Sequence, residues 1–162
     1  MILADFSLPD TPPWRCFTDR VMGGRSDATA SVSDVQGRRA LRLTGQLSLA
    51  NRGGFVQVAR QLGERGALFD ATRYRAIRLT VCGHAPATLI HLRSADTIFP
   101  WSHYAAAFSL PAAWGEVEVP FTAFAPSGMA KPLDRSALTR IGVVAGKAAG
   151  PVDIAIARVE LV

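Results

Sequence analysis

The sequence predicts an all-β sandwich of two antiparallel sheets with one or two short helical turns. Short runs of apolar residues alternate with polar ones, which is typical of half-buried strands. The 14 glycines and 10 prolines are spread along the chain as turn residues between these runs. Helix signals are scarce. Several short strands separated by turns indicate a sandwich or jelly roll.

The alternation is clearest in six runs, at residues 40–45, 55–59, 76–82, 88–93, 114–119 and 153–159. Successive side chains of a strand point to opposite faces, so the apolar residues of each run should face the core. In the run at 76–82, the core face is predicted to carry Ile77, Leu79 and Val81, with Cys82 pointing away. If the strands are neighbours, one outer face carries four polar residues, namely Gln57, Arg78, His91 and Arg93.

Two segments are predicted to form short helical turns. Residues 134–138 can form one turn with Asp134 as its N-cap. Residues 120–124 can form another, begun by Pro120, whose fixed φ suits the first helical position.

The size and composition predict one globular domain spanning residues 1–162. The hydrophobic share is 49% and the charged share is 19%, which argues against disorder. No uncharged apolar run reaches the roughly 18 residues of a membrane span. The first residues have neither a basic segment nor a long apolar one, so no secretory signal is predicted. We therefore expect a cytoplasmic protein. A peripheral contact with a membrane surface is compatible with this expectation.

The positive charge is concentrated in the first half of the chain. Residues 1–80 hold 12 Arg and 7 acidic residues, a net of +5, whereas residues 81–162 hold 4 Arg, 2 Lys and 6 acidic residues, a net of 0. This excess of positive charge fits binding to an acidic protein surface, a phosphate group or an anionic membrane. It also fits a solvated surface without a partner. Because Arg38-Arg39 is the one adjacent basic pair, no nucleic-acid partner is predicted.

The two cysteines, Cys16 and Cys82, lie far apart and outside any C-x-x-C motif. A structural zinc site needs about four close ligands, so no metal is predicted. Two buried free thiols are favoured, and a disulfide would require an oxidising compartment.

Three segments carry a pattern more specific than alternation. Residues 19–26 read D-R-V-M-G-G-R-S, residues 45–55 read G-Q-L-S-L-A-N-R-G-G-F, and residues 114–124 read W-G-E-V-E-V-P-F-T-A-F. Trp14 lies just before the first of them. In order and spacing these segments resemble the complex I intermediate-associated protein 30 family, from about residue 4 to the C-terminus.

The resemblance implies a fold similar to galactose-binding-domain jelly rolls. It also implies a role like that of the mitochondrial members, which assist assembly of NADH:ubiquinone oxidoreductase. The first residues are not an Arg- and Ser-rich amphipathic stretch, so the chain resembles a short bacterial member.

The first motif predicts a tight loop at Met22, Gly23 and Gly24, because paired glycines allow positive φ and close backbone approach. Asp19 and Ser26 bracket the loop, and their oxygens can accept hydrogen bonds from backbone amides. The loop is either a contact for a ligand or partner at the sandwich edge or a turn that must bend sharply.

Gly53 and Gly54 in the second motif have the same two interpretations. Asn51 is a residue that tolerates the left-handed region of a turn, and it is either structural or part of the same contact.

Trp101 and Tyr104 lie in a polar-aromatic segment predicted to be an exposed loop, and aromatic residues near Arg and His often bind sugars or protein partners. His91 and Arg93 share a strand face and are predicted to belong to the same site. Trp114, which starts a strand, is predicted to be a core residue.

Three functions fit these observations to different degrees. A non-catalytic protein-binding or assembly module, with respiratory-complex subunits as candidate partners, is favoured by the resemblance. A module binding carbohydrate or another small ligand is the alternative. An enzyme has least support, because the chain lacks G-x-S-x-G, H-E-x-x-H and G-x-G-x-x-G motifs. No cofactor is predicted.

Overall fold

The protein is described by a computed structural model that covers residues 1–162. Its twelve strands are β1 (Ile2–Asp5), β2 (Arg15–Thr18), β3 (Asp27–Val35), β4 (Arg38–Leu47), β5 (Phe55–Gln61), β6 (Ala76–His84), β7 (Thr88–Ser94), β8 (His103–Phe108), β9 (Gly115–Pro120), β10 (Ala125–Ser127), β11 (Leu138–Gly146) and β12 (Gly150–Leu161). The helical segments are 3₁₀ turns of three or four residues.

The strands form two antiparallel sheets, as the sequence predicts, and each sheet has six strands. The first sheet has the order β3-β4-β12-β6-β9, with β1 also paired to β12. The second sheet has the order β10-β8-β7-β11-β5-β2. Both sheets contribute to one apolar core, so they pack face to face as a sandwich.

The predicted alternation is confirmed in β6, where Ile77, Leu79 and Val81 are fully buried. Cys82 points to the outer face of this sheet, as predicted, but it is buried there too. It belongs to a small second cluster with Ala40 and alanines of β12, and Trp114 packs against that cluster.

Trp114 is therefore half-buried outside the first sheet and is not a central core residue. Its Nε1 donates to the carbonyl oxygen of Val35 at 3.0 Å, which satisfies the polar end of the indole. The tryptophan predicted to be a core residue thus packs, partly buried, against this small outer cluster and not in the main core between the sheets.

Both predicted helical turns are present. One spans Arg135–Ala137, and the Asp134 side chain caps it by accepting from the Ser136 amide at 2.9 Å. The other spans Phe121–Ala123 and follows Pro120.

The predicted grouping of four polar residues is wrong for one of them. Arg78 lies in β6 of the first sheet, whereas the strands carrying Gln57, His91 and Arg93 belong to the second. Arg78 instead bridges Glu118 at 3.1 Å and Glu160 at 3.2 Å on neighbouring strands of its own sheet.

The two thiols are free. Cys16 lies half-buried in β2 of the second sheet, and Cys82 lies buried in β6 of the first. Burial raises the pKa of both thiols, which keeps them protonated at neutral pH. The structure also has no helix with the length and apolar character needed to cross a membrane.

Candidate functional site

An open cleft of about 560 Å³ lies on the outer face of the second sheet. Strands β2, β5, β7, β8 and β11 form its floor, and the segments around residues 21–22 and 100–102 form two of its walls. It is lined by Phe17, Val21, Met22, Phe55, Gln57, His91, Arg93, Pro100, Trp101, Ser102, His103, Arg140 and Gly142.

The register of the central strands brings the floor residues together. Gly142 of β11 is paired with Ala59 of β5 on one side and with His91 of β7 on the other. A side chain on Gly142 would meet the Gln57 Oε1 atom at 2.9 Å, so glycine leaves the middle of the floor open. Two residues away on the same face, Arg140 is paired with Arg93.

Two histidines stack on this floor, with ring centroids of His91 and His103 4.0 Å apart and planes at 19°. Burial, followed by the nearby charges of His103, Lys147 and Arg140, lowers the pKa of His91 to about 3. Burial also lowers the pKa of His103. Both rings are therefore neutral at neutral pH, and each has one protonated and one unprotonated nitrogen.

The tautomer of His103 follows from its surroundings. Its Nδ1 lies 3.0 Å from the carbonyl oxygen of Trp101, an atom that can only accept. Nδ1 therefore carries the proton in the neutral ring, and Nε2 is left as an acceptor.

Arg93 holds the aromatic wall of the cleft in place. Its guanidinium donates to the carbonyl oxygens of Thr97 at 2.9 Å and Phe99 at 3.1 Å. The rings of Phe99 and Trp101 stack at 4.9 Å with only 6° between their planes, and both side chains are more than half exposed. The result is a fixed, flat aromatic surface at the mouth of the cleft.

The opposite wall is organised by the buried carboxylate of Asp19. This carboxylate accepts hydrogen bonds from the Ser26 amide at 2.9 Å, the Ser26 hydroxyl at 2.5 Å and the Gly54 amide at 2.5 Å. Burial acts to raise the pKa of Asp19, but these bonds and one from Phe55 outweigh it and lower the pKa. Asp19 thus joins the first two sequence motifs into one unit.

The glycines of both motifs are explained by this unit. Any side chain on Gly24 or Gly53 would overlap the Asp19 carboxylate. Gly23 has a φ of 83°, which ends the 3₁₀ turn at Met22 in the left-handed region that favours glycine. Asn51, with a φ of 55°, is in the left-handed region as predicted and donates from Nδ2 to the Gly23 carbonyl at 3.2 Å.

All of the predicted site residues except Tyr104 fall into two groups. Met22, His91, Arg93 and Trp101 line the cleft. The remaining loop residues shape its wall from behind: Asp19, Gly23, Gly24, Ser26, Asn51, Gly53 and Gly54. Asp19 and Ser26 have no exposed surface with which to touch a ligand.

Tyr104 does not reach the cleft, and its predicted exposure is wrong. Strand β8 begins at His103, so alternation turns His103 outward and Tyr104 into the core. The Tyr104 hydroxyl donates to the Pro132 carbonyl at 3.2 Å instead.

Sequence reasoning missed several lining residues, chiefly Phe17, His103, Arg140 and Gly142. Phe17, Arg140 and Gly142 lie in β2 and β11, which the sequence did not predict as strands. The signal available for β11 was the apolar stretch from Ile141, which is buried on both faces and so does not alternate.

Two stacked antiparallel sheets with a cleft across one outer face define a jelly-roll β-sandwich. The chain belongs to the complex I intermediate-associated protein 30 family, whose model matches residues 4–156. The comparison with curated proteins returns no match.

Solved structures with this fold include carbohydrate-binding modules. The family 11 module of a cellulosomal cellulase of Clostridium thermocellum has a TM-score of 0.78 at 13% identity, covering 100% of this chain and 93% of that one. The Clostridium thermocellum module in complex with a β-1,3-1,4-mixed-linked tetrasaccharide has a TM-score of 0.75 at 14% identity, covering 99% and 94%. A family 30 module has a TM-score of 0.59 at 13% identity, covering 82% and 72%. At these identities the likeness establishes the fold.

Proposed function

We propose that this protein is a non-catalytic assembly module of the cytoplasm that binds a protein partner through the cleft. The observation that carries the proposal is the apolar rim, defined by Val21 and Met22 on one wall and by Trp101 with its stacked neighbour Phe99 on the other. All four side chains are more than half exposed. Exposed apolar side chains concentrated around one cleft are characteristic of protein-interaction sites.

The composition of the rim favours a protein over a sugar. Val21 and Met22 are aliphatic and thioether side chains that offer a sugar no hydrogen bonds and gain most by contact with apolar groups. Both walls are also held rigid, one by Asp19 and the other by Arg93. Rigid contact groups lose little conformational entropy on binding.

Membership of the family supports subunits of NADH:ubiquinone oxidoreductase, or their assembly intermediates, as the partner. The test is affinity capture from native cells with quantitative mass spectrometry. We expect the wild-type protein to enrich such subunits. Trp101→Ala and Met22→Ser should each reduce that enrichment at least tenfold, because hot-spot side chains contribute about 2 kcal/mol or more.

Leu68→Ser is the matched control for Met22→Ser, because Leu68 is similarly exposed but does not line the cleft. This control should capture as much partner as the wild type. Enrichment that is absent from the wild type, or unchanged in both rim variants, would contradict the proposal.

A second variant tests the floor of the cleft without touching the rim. Gly142→Leu should fill the open space beside His91 and Gln57 and abolish capture while the protein stays folded. Gly142→Ala should have a smaller effect, because the first atom it meets is the movable end of Gln57. Circular dichroism should confirm the fold of both variants, and full capture by Gly142→Leu would show that the floor is not used.

The stacked Phe99–Trp101 pair favours carbohydrate binding as the second candidate function, since flat exposed rings can pack against sugar faces. The β-1,3-1,4-mixed-linked tetrasaccharide is the first probe to use. Under this candidate, millimolar sugar raises the melting temperature of the wild type and not of Trp101→Ala. No shift in a glycan panel at millimolar concentration counts against it.

A further inference from the structure

The cleft floor holds two arginines side by side with no acid between them. Arg140 of β11 is directly opposite Arg93 of β7 in the strand register. Like charges directly opposite on neighbouring strands repel each other. None of the residues that line the cleft is an aspartate or a glutamate.

The two arginines differ in how their donors are used. Arg93 donates hydrogen bonds to Thr97 and to the carbonyl oxygen of Phe99. Arg140 makes no side-chain hydrogen bond and no salt bridge within the protein; its guanidinium lies 4.6 Å from the ring centroid of Phe17. Arg140 is therefore a half-buried cation whose donors are available to a ligand.

The surroundings make this cation a strong recognition group. Burial and the charge of Arg93 both lower the pKa of Arg140, which shows that its charge is poorly compensated in the free protein. Arginine still remains protonated under such conditions. A planar guanidinium fits the two oxygens of a carboxylate, and desolvated pairs of this kind are stronger than exposed ones.

We propose that Arg140 pairs with a carboxylate of the partner protein, supplied by an Asp or Glu side chain in an extended segment that enters the cleft. The open floor at Gly142 leaves room for the carboxylate, and the neutral rings of His91 and His103 lie beside it. Apolar side chains flanking the acidic residue then contact the rim at Met22 and Trp101. This inference rests on the proposed function and specifies the chemistry of the partner.

A small matched pair of peptides tests the proposal directly. The probes are acetyl-Leu-Glu-Leu-amide and acetyl-Leu-Gln-Leu-amide, titrated into the full protein and followed by the histidine ring signals in NMR spectra. We expect the Glu peptide to bind at least tenfold more tightly and to raise the pKa of His103, because a bound anion favours the protonated ring. Arg140→Gln should remove both effects.

Three controls make the outcome specific. Arg39→Gln removes a charge from an exposed position outside the cleft and should leave binding unchanged. Arg140→Lys should retain part of the affinity, since lysine keeps the charge but lacks the planar pair of donors. The melting temperature of Arg140→Gln should be unchanged or raised, because the variant removes repulsion from Arg93.

Equal binding of the two peptides, or full binding by Arg140→Gln, would overturn the proposal. Galacturonate and inorganic phosphate are titrated into the protein as two further probes. If either binds more tightly than the Glu peptide, the site is assigned to an acidic sugar or to a phosphate instead. If partner capture is lost in Trp101→Ala but kept in Arg140→Gln, the proposed function stands and this inference fails. If capture survives both changes, both fail.

Discussion

Replacing Asp19 by alanine is expected to lower the free energy of unfolding by about 3–5 kcal/mol. The carboxylate is fully buried and accepts from two groups of Ser26 and from the Gly54 amide. Without it these buried donors lose their acceptor, and Gly24 and Gly53 face an empty space. Urea unfolding followed by circular dichroism measures the effect.

Asp10→Ala is the control for this change, because Asp10 is exposed and makes no side-chain hydrogen bond; its effect should stay within about 0.5 kcal/mol. Asp19→Asn should also destabilise strongly, since an amide group supplies only one acceptor oxygen. A loss below about 1 kcal/mol in Asp19→Ala would show that the two motifs are not held together by this residue.

The pH dependence of the same substitution has a definite sign. The folded-state pKa of Asp19 is lowered, so its stabilisation is complete above about pH 4 and is lost as the pH falls further. The difference in stability between wild type and Asp19→Asn should therefore shrink in acid. A difference that is constant down to pH 2 would contradict the assignment of an ionised carboxylate.

Mild acid is expected to destabilise the protein through His91. An exposed histidine has a pKa of about 6.5, whereas His91 in the folded protein has a pKa of about 3. Between these values the unfolded chain binds the proton and the folded chain does not, so stability falls as the pH drops. The expected loss is up to about 2 kcal/mol between pH 7 and pH 5.

His91→Gln should flatten this slope, and His84→Gln should not, because His84 is exposed at the end of β6. Thermal unfolding measured at half-unit steps from pH 4.5 to pH 8 separates the two variants. This window lies above that of Asp19, so the contributions can be distinguished. An NMR titration that placed the pKa of His91 near 6.5 would contradict the buried, neutral ring.

Strands with one exposed face could be predicted from the sequence, because their alternation is visible in the residues themselves. The core residues of β6 and the shared face of His91 and Arg93 follow directly from a period of two. Strand β11 could not be predicted in this way, since Ile141–Gly146 is buried on both faces. Because β11 is not predicted, Arg140 and Gly142 at the centre of the cleft floor are not predicted as site residues either.

The misplaced residues have topological causes. The alternation predicts Arg78 on the same face as His91, but it does not reveal the order of the strands in each sheet, and that order places the two residues in different sheets. The sequence predicts a loop at Tyr104, because Pro100 and the adjacent aromatic residues obscure the start of β8 at His103. Because side chains alternate along a strand, a strand that begins at His103 turns Tyr104 into the core.

The three sequence motifs predict local turns, but they do not predict how those turns contact one another. The Asp19 segment and the Gly53-Gly54 segment were recognisable as turns, but their joint role depends on a buried contact between residues 35 positions apart. The third motif, at 114–124, packs Trp114 on the outer face of the first sheet, away from the cleft. Motif residues in this protein therefore mainly build the sandwich and one wall of its site.

The most direct test of a protein partner in the cleft is site-specific photo-crosslinking in living cells. A photoreactive phenylalanine placed at Phe99, on the rim, should give a defined crosslinked product containing a respiratory-complex subunit or assembly intermediate. The same group at Val32, which is exposed on β3 of the other sheet, should give none. Crosslinks from Val32 alone, or no protein crosslink from Phe99, would contradict the cleft as the partner site.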